Sequence, residues 1–194
     1  MSTIDEAVDA AFEPLRGRPE VDRVAAVVSN LSDYGFIWVL LAALKARRRG
    51  PDRRRAIVAL ATAGFSSLIV SRIAKAAVER QRPEDHLQAS VRAPTSSSFP
   101  SGHTLAAFCT AFVVGDSDAG TAANVTFATA VAASRVHLRA HHPTDVIGGA
   151  VIGSVLGLGL RPIVDVVTPG SGGRRGRRRG HRGMGNSEVV LKKL

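Results

Sequence analysis

Between Ser134 and Asp145 the chain reads Ser-Arg-Val-His-Leu-Arg-Ala-His-His-Pro-Thr-Asp, where an arginine, a histidine and a carboxylate follow one another at the junction of two apolar stretches. A guanidinium can grip phosphate oxygens bidentately, a neutral imidazole can attack phosphorus, and a carboxylate can hold that imidazole in the attacking tautomer. The stretch therefore reads as a phosphate site built on Arg135, His141 and Asp145. Pro143 disfavours helix at His142 and suits the first position of a new helix, so Thr144 and Asp145 fall in that helix's first turn with His141 just outside it.

Plainer readings of the same residues compete. Asp145 could serve only the dipole of the helix it opens, and Arg135 and Arg139 could be cations snorkelling at a membrane interface. His137, His141 and Asp145 are spaced by fours, which on one unbroken helix would align three metal ligands; Pro143 argues against that unbroken helix.

Two further polar stretches carry complementary chemistry. Lys75 and Arg82 stand seven apart, and Pro83 marks where a helix cannot comfortably continue, so both cations can converge on one phosphate. In Phe99-Pro100-Ser101-Gly102-His103, Ser101 is a natural N-cap and Gly102 lets backbone approach a ligand closely. Free N–H groups at that helix start attract an anion, and His103 in the first turn can protonate a leaving oxygen. Taken singly, these are also an ordinary basic flank and an ordinary helix cap.

The elements that must position these residues follow from composition. Over 194 residues the formal net charge is +10, yet 45% of residues are hydrophobic and 5% aromatic. The basic residues gather in two bursts, Lys45 to Arg55 and Arg174 to Arg182, separated by apolar stretches; short basic clusters between apolar spans are the pattern of a multi-span membrane protein. Cys109 is the single cysteine, so no internal disulfide forms.

The acidic opening, residues 1–22, lacks the basic start and apolar centre of a signal peptide and reads as a short cytosolic or interfacial helix. The domain that follows spans residues 23–167, with helices expected at Tyr34 to Leu44, Ala56 to Ser71, His103 to Gly115, Thr121 to Ser134, and Val146 to Leu160 with an extension to Val167. Val78 to Ser98 is a long polar loop. Residues 168–194 are Arg- and Gly-rich and are expected to be a disordered cytoplasmic tail. Gly148, Gly149, Gly153, Gly157 and Gly159 stud the last helix, as expected where transmembrane helices pack closely. No span presents a clean, uncharged eighteen to twenty residues, the length that crosses roughly 30 Å of hydrocarbon, so flanking Arg and Lys must extend each one. The expected fold is all-α, a transmembrane bundle of about five to six helices with the site at one membrane face. A soluble helical bundle is the competing architecture. With the basic loop and tail both cytoplasmic, Lys75, Arg82, Ser101, His103, Arg135, His141 and Asp145 all fall on the opposite face of the bacterial plasma membrane.

In order and internal spacing, Lys75 to Pro83, Pro100 to His103 and Ser134 to Asp145 resemble the three-part signature of the type 2 phosphatidic acid phosphatase superfamily. That superfamily embraces bacterial lipid phosphatases, glucose-6-phosphatase, soluble acid phosphatases and vanadium haloperoxidases. The resemblance implies that Lys75, Arg82 and Arg135 bind phosphate oxygens, with Ser101 and the Gly102 and His103 amides completing the cradle. It implies His141 as the nucleophile that forms a phosphohistidine, Asp145 as its orienting partner and His103 as the general acid. No metal or other cofactor is implied. His137, Arg139 and His142 occupy positions the signature leaves free.

Small size and a missing export signal make the chain similar to the membrane lipid phosphatases of that superfamily. A prenyl phosphate or diphosphate is favoured as substrate, with phosphatidic acid and phosphatidylglycerol phosphate as alternatives. Membrane lipids are the expected surroundings, and a homo-oligomer is compatible with the sequence. A different class, a membrane-tethered module whose Arg/Gly tail binds anionic lipid or RNA, is weakened by the tail's lack of interleaved aromatics, so nucleic acid is not an expected partner.

Overall fold

The computed structural model describes residues 2–32, 51–83, 97–115 and 117–169. These form the helices α1 (Thr3–Phe12), α2 (Pro19–Ser32), α3 (Pro51–Ala77), α4 (Gly102–Val114), α5 (Asp118–His137) and α6 (Pro143–Val167), with one 3-10 turn at Glu13–Leu15 and no strand among the described residues. The expected span at Tyr34 to Leu44, most of the first basic loop and nearly all of the Arg-rich tail lie outside them.

The helices are longer than hydropathy alone marks out. α3 was expected at Ala56 to Ser71 but runs from Pro51 to Ala77, taking in Arg53, Arg54, Arg55, Arg72 and Lys75. Lys and Arg favour helix, and their long stems reach polar surroundings from an apolar shaft, so charge ends the apolar stretch without ending the helix. Among the described residues two helices are long and apolar enough to cross a membrane, Arg53–Ala77 and Pro143–Val167, each of 25 residues. Both turn large apolar side chains outward, including Phe65 and Ile73 on α3 and Val151, Val155 and Val166 on α6.

The centre of the bundle is the shortest apolar helix. α4 has 13 residues, about 20 Å at about 1.5 Å per residue, and it packs against α3, α5 and α6. Leu105 and Val113 are fully buried; Val113 and Cys109 lie against Ala59 and Ala63 of α3 and Val164 of α6. The glycine pattern explains the α4–α6 contact. A Cβ at Gly149, Gly153 or Gly157 would lie 2.7, 2.3 or 2.6 Å from the carbonyl oxygens of Ser101, Leu105 and Cys109 respectively. Two rows spaced by four therefore slide past each other with no side chain between the backbones. Gly159 faces open space and takes no part in this contact.

Chain direction sets the ends. α3 brings Lys75 to one end; α4 starts there at Gly102, α5 returns there at His137, and α6 leaves it at Pro143. At the other end Arg55 Nε donates to Asp165 Oδ1 at 3.0 Å, and Arg55 Nη2 reaches the Val113 carbonyl at 3.5 Å.

Candidate active site

α5 stops at His137, and Arg139 takes a left-handed backbone conformation (φ 51°), which turns the chain toward Pro143. The Arg135 carbonyl accepts from the amides of Ala140 (3.0 Å) and His141 (3.4 Å), closing the turn under the histidine. Pro143 opens α6 as expected, with Asp145 in its first turn accepting the His142 amide at 2.9 Å. Because the helix is broken here, His137, His141 and Asp145 do not share a helical face; His137 Nε2 instead meets Asp22 Oδ1 at 2.7 Å.

His141 is buried and held at both ring nitrogens. Nδ1 lies 2.8 Å from the Ser98 carbonyl, which only accepts, so this nitrogen carries the proton. Nε2 is then the lone-pair nitrogen, and Arg82 Nη1 sits 3.2 Å from it as a donor. Asp145 Oδ2 is 3.8 Å from Nδ1, an ion-pair distance beyond hydrogen-bond reach. The tautomer expected from an Asp145–His141 bond is thus set by the Ser98 carbonyl, with Asp145 as the nearby charge. Burial, aided by the Arg82 and Arg135 charges and opposed by Asp145, pushes the His141 imidazole down to about 4. It is neutral at pH 7, as a nucleophilic nitrogen requires.

Arg82, Arg135 and Lys75 lie within electrostatic reach of one another. Arg82 and Arg135 are the positive charges acting on His141, and both also act on Lys75 in the last turn of α3. Arg82 Nη1 donates to the Ala140 carbonyl at 2.8 Å, while its Nε is buried with no acceptor among the described residues, a donor suited to a phosphate oxygen. Arg135 Nη1 donates to Ser29 Oγ of α2.

The Ser101 motif joins the third stretch directly, since the Ser101 amide donates to the Asp145 carbonyl at 3.0 Å. Ser101 occupies the N-cap position of α4, but its hydroxyl accepts from Thr104 Oγ1 at 3.1 Å instead of bonding a first-turn amide. Gly102 opens the helix, where a Cβ would come to 3.2 Å from Ser71 Oγ of α3, and His103 follows it, half-buried in the first turn.

Three residues of this constellation escape sequence reasoning. Ser98, the end of a serine run that reads as loop, offers its carbonyl to His141 and its hydroxyl to Asp145 Oδ2. Arg80, between the two cations of the first motif, donates to Asp145 Oδ1 at 2.6 Å and Thr144 Oγ1 at 2.7 Å. Asp5, from the acidic opening, bonds Arg80 Nη2 at 2.6 Å, the Thr144 amide at 2.9 Å and Thr144 Oγ1 at 2.7 Å. The only local signal for Asp5 is its capping box with Ser2, which marks a helix start and no site.

A neutral histidine at a turn, with carboxylates behind it and cations near it, has the chemistry that phosphoryl transfer requires. The profile of the PAP2 superfamily matches residues 54–168. The chain is 32% identical over 172 residues to decaprenylphosphoryl-5-phosphoribose phosphatase of Mycobacterium tuberculosis, covering 88% of this chain and 92% of that protein. It is 33% identical over 146 residues to the protein of the same name from Mycolicibacterium smegmatis, covering 75% and 80%. The fold is that of a transmembrane PAP2-type phosphatidylglycerolphosphate phosphatase from Bacillus subtilis, with a TM-score of 0.67, 23% identity and coverage of 86% and 89%. It is also that of Aquifex aeolicus LpxE, with a TM-score of 0.62, 23% identity and coverage of 81% and 94%. With more than half its length matched by the family and phosphatases as its curated relatives, the chain belongs to the PAP2 superfamily and is a phosphoric monoester hydrolase.

Proposed function

We propose that the chain is an integral-membrane phosphatase that removes phosphate from a polyprenyl-linked phosphomonoester through a metal-independent phosphohistidine. The observation that carries this reading is the setting of His141, with Nδ1 2.8 Å from the Ser98 carbonyl and Nε2 3.2 Å from Arg82 Nη1, which assigns the proton to Nδ1 and the lone pair to Nε2.

In the proposed reaction Lys75, Arg82 and Arg135 take the phosphate oxygens, with Ser101 and the Gly102 and His103 amides beneath them. The Arg82 donor moves from Nε2 to a phosphate oxygen as substrate enters, freeing the lone pair. Nε2 attacks phosphorus in line, the N–P bond forms, and the ester P–O bond breaks. The leaving oxygen takes its proton from His103. His103, now neutral, accepts a proton from water, whose oxygen bonds phosphorus as the N–P bond breaks and Nε2 recovers its lone pair. Asp145 stabilises the positive charge on the phosphorylated imidazole.

A prenyl-carried substrate is supported by the two curated relatives, whose name joins a decaprenylphosphoryl group to a 5-phosphoribose. Such a lipid lies in the bilayer with its phosphate at the interface, where the site stands at one end of the apolar helices. Arg53 to Arg55 and the exit of α6 at Thr168 lie at the other end. Positive residues on the cytoplasmic side would put the site on the extracytoplasmic face and the C-terminal tail inside.

The test is phosphate release by detergent-purified protein in EDTA, offered prenyl phosphate, prenyl diphosphate, a prenylphosphoryl phosphoribose and phosphatidic acid, with His141→Ala alongside. Release that survives EDTA, favours the prenyl lipids and vanishes in the variant is expected. Undiminished turnover by His141→Ala overturns the mechanism, and preference for phosphatidic acid overturns the substrate class.

A further inference from the structure

α1 has no part in the family signature and yet delivers a fully buried carboxylate to the site: Asp5 and Asp145 are both 0% exposed. Asp5 does more than cap its own helix. Its Oδ1 accepts the Thr144 amide at 2.9 Å, one of the first-turn N–H groups that α6 cannot satisfy internally. The same oxygen takes the Thr144 hydroxyl, and Oδ2 takes Arg80 at 2.6 Å and the Ser2 hydroxyl at 2.9 Å. The first turn of α6, which carries Asp145, is therefore capped from a helix 139 residues earlier in the chain.

Arg80 divides its guanidinium between two acids, Nη2 to Asp5 and Nη1 to Asp145. An arginine bound to one buried carboxylate would neutralise it; shared between two, it leaves one negative charge over the group. Asp145 is thus oriented from four sides, by Arg80, the Ser98 hydroxyl, the His142 amide and the cap on the preceding residue, while its field on His141 is retained. Other contacts seat the same N-terminal segment at this end. Arg16 Nε donates to the His137 carbonyl at 3.1 Å, Asp22 meets His137, and Ser29 accepts from Arg135.

We propose that Asp5 is a positioning residue for the phosphatase reaction, acting through Arg80 and Thr144 to fix the orientation and effective charge of Asp145. The proposal rests on the phosphohistidine reading above. It accounts for a carboxylate with five donors from three residues, the amide and hydroxyl of Ser2, the amide and hydroxyl of Thr144, and Arg80 Nη2, where a surface capping residue would suffice.

Asp5→Asn isolates the charge. Its amide oxygen still accepts from Thr144, so the cap survives, while the pairing with Arg80 is lost. In full-length, detergent-purified protein this variant should lose about tenfold in kcat with KM nearly unchanged, because Asp5 does not touch the phosphate. Active sites are counted by the burst of phosphoenzyme, so that misfolded protein does not enter kcat. The double variant Asp5→Asn/Arg80→Gln should lose no more than Arg80→Gln alone.

Wild-type kcat in Asp5→Asn, with His141→Ala inactive beside it, overturns the proposal and leaves the mechanism standing. A fall only in the number of active sites, or losses that multiply in the double variant, also overturns it. Retained turnover in His141→Ala removes the reading on which it rests.

Discussion

The two ends of this bundle handle charge differently. At the far end Arg55, itself buried, pairs with Asp165, whose side chain is 52% exposed, so water shares the load on the acid. At the site end Asp5 and Asp145 are wholly buried around Arg80, and every acid oxygen is engaged. Removing one member of a buried charge group leaves the others uncompensated, whereas water can take over part of the role of a half-exposed acid. The difference teaches where charge is structural trim and where it sets up chemistry.

Four tests break or sharpen this contrast. The largest effect belongs to His141→Ala, which should abolish phosphate release, while His142→Ala, one residue along, should keep most of it; a His142→Ala enzyme as inactive as His141→Ala would reassign the nucleophile. Next comes the glycine seam beneath the site. Gly153→Ala drives a Cβ to 2.3 Å from the Leu105 carbonyl and should cost about 1–3 kcal/mol, read as a lowered melting temperature in detergent. Gly159→Ala, which meets nothing within 4 Å, should be neutral or slightly stabilising.

Acid should act next, at the site end. The unfolded chain protonates His141 near 6.5 and the folded one near 4. Between those values the unfolded state holds the extra proton, so this contribution is complete above pH 6.5 and declines as pH falls toward 4. The melting temperature of the wild type should therefore drop more between pH 7.5 and 5 than that of His141→Ala. Equal drops would mean that the imidazole is not held neutral by burial. The smallest effect is at the far end, where Asp165→Asn should cost no more than about 1 kcal/mol and leave kcat unchanged. A loss of activity there would erase the distinction between the two ends.

Legibility in the sequence follows the range of the interaction. Pro143 announced the start of α6 and the break after α5, because proline's fixed φ and missing N–H act on adjacent residues. The glycines at 148, 149, 153, 157 and 159 pointed to close helix packing; those at 149, 153 and 157, spaced along one helical face, make it against α4, whereas Gly159 faces open space. The boundaries of α3 are not legible in hydropathy, which treats Arg53 to Arg55 and Lys75 as interruptions although helical backbone bonds run through them undisturbed. The N-terminal residues read as a separate polar helix, and their structure is a pair of helices stitched to the site end by Asp5, Arg16, Asp22 and Ser29.

By itself the sequence determined the chemistry available: three cations, two histidines and an aspartate in three short stretches, each spaced so that one local turn could present them together. Tertiary structure alone decided which acceptor holds the His141 proton and what stands behind Asp145. Those contacts join residues 43 apart for Ser98 and His141, 75 for Asp5 and Arg80, and 139 for Asp5 and Thr144. No periodicity or cap rule reaches across such separations, because these partners meet only once the helices have packed and water has been excluded from between them.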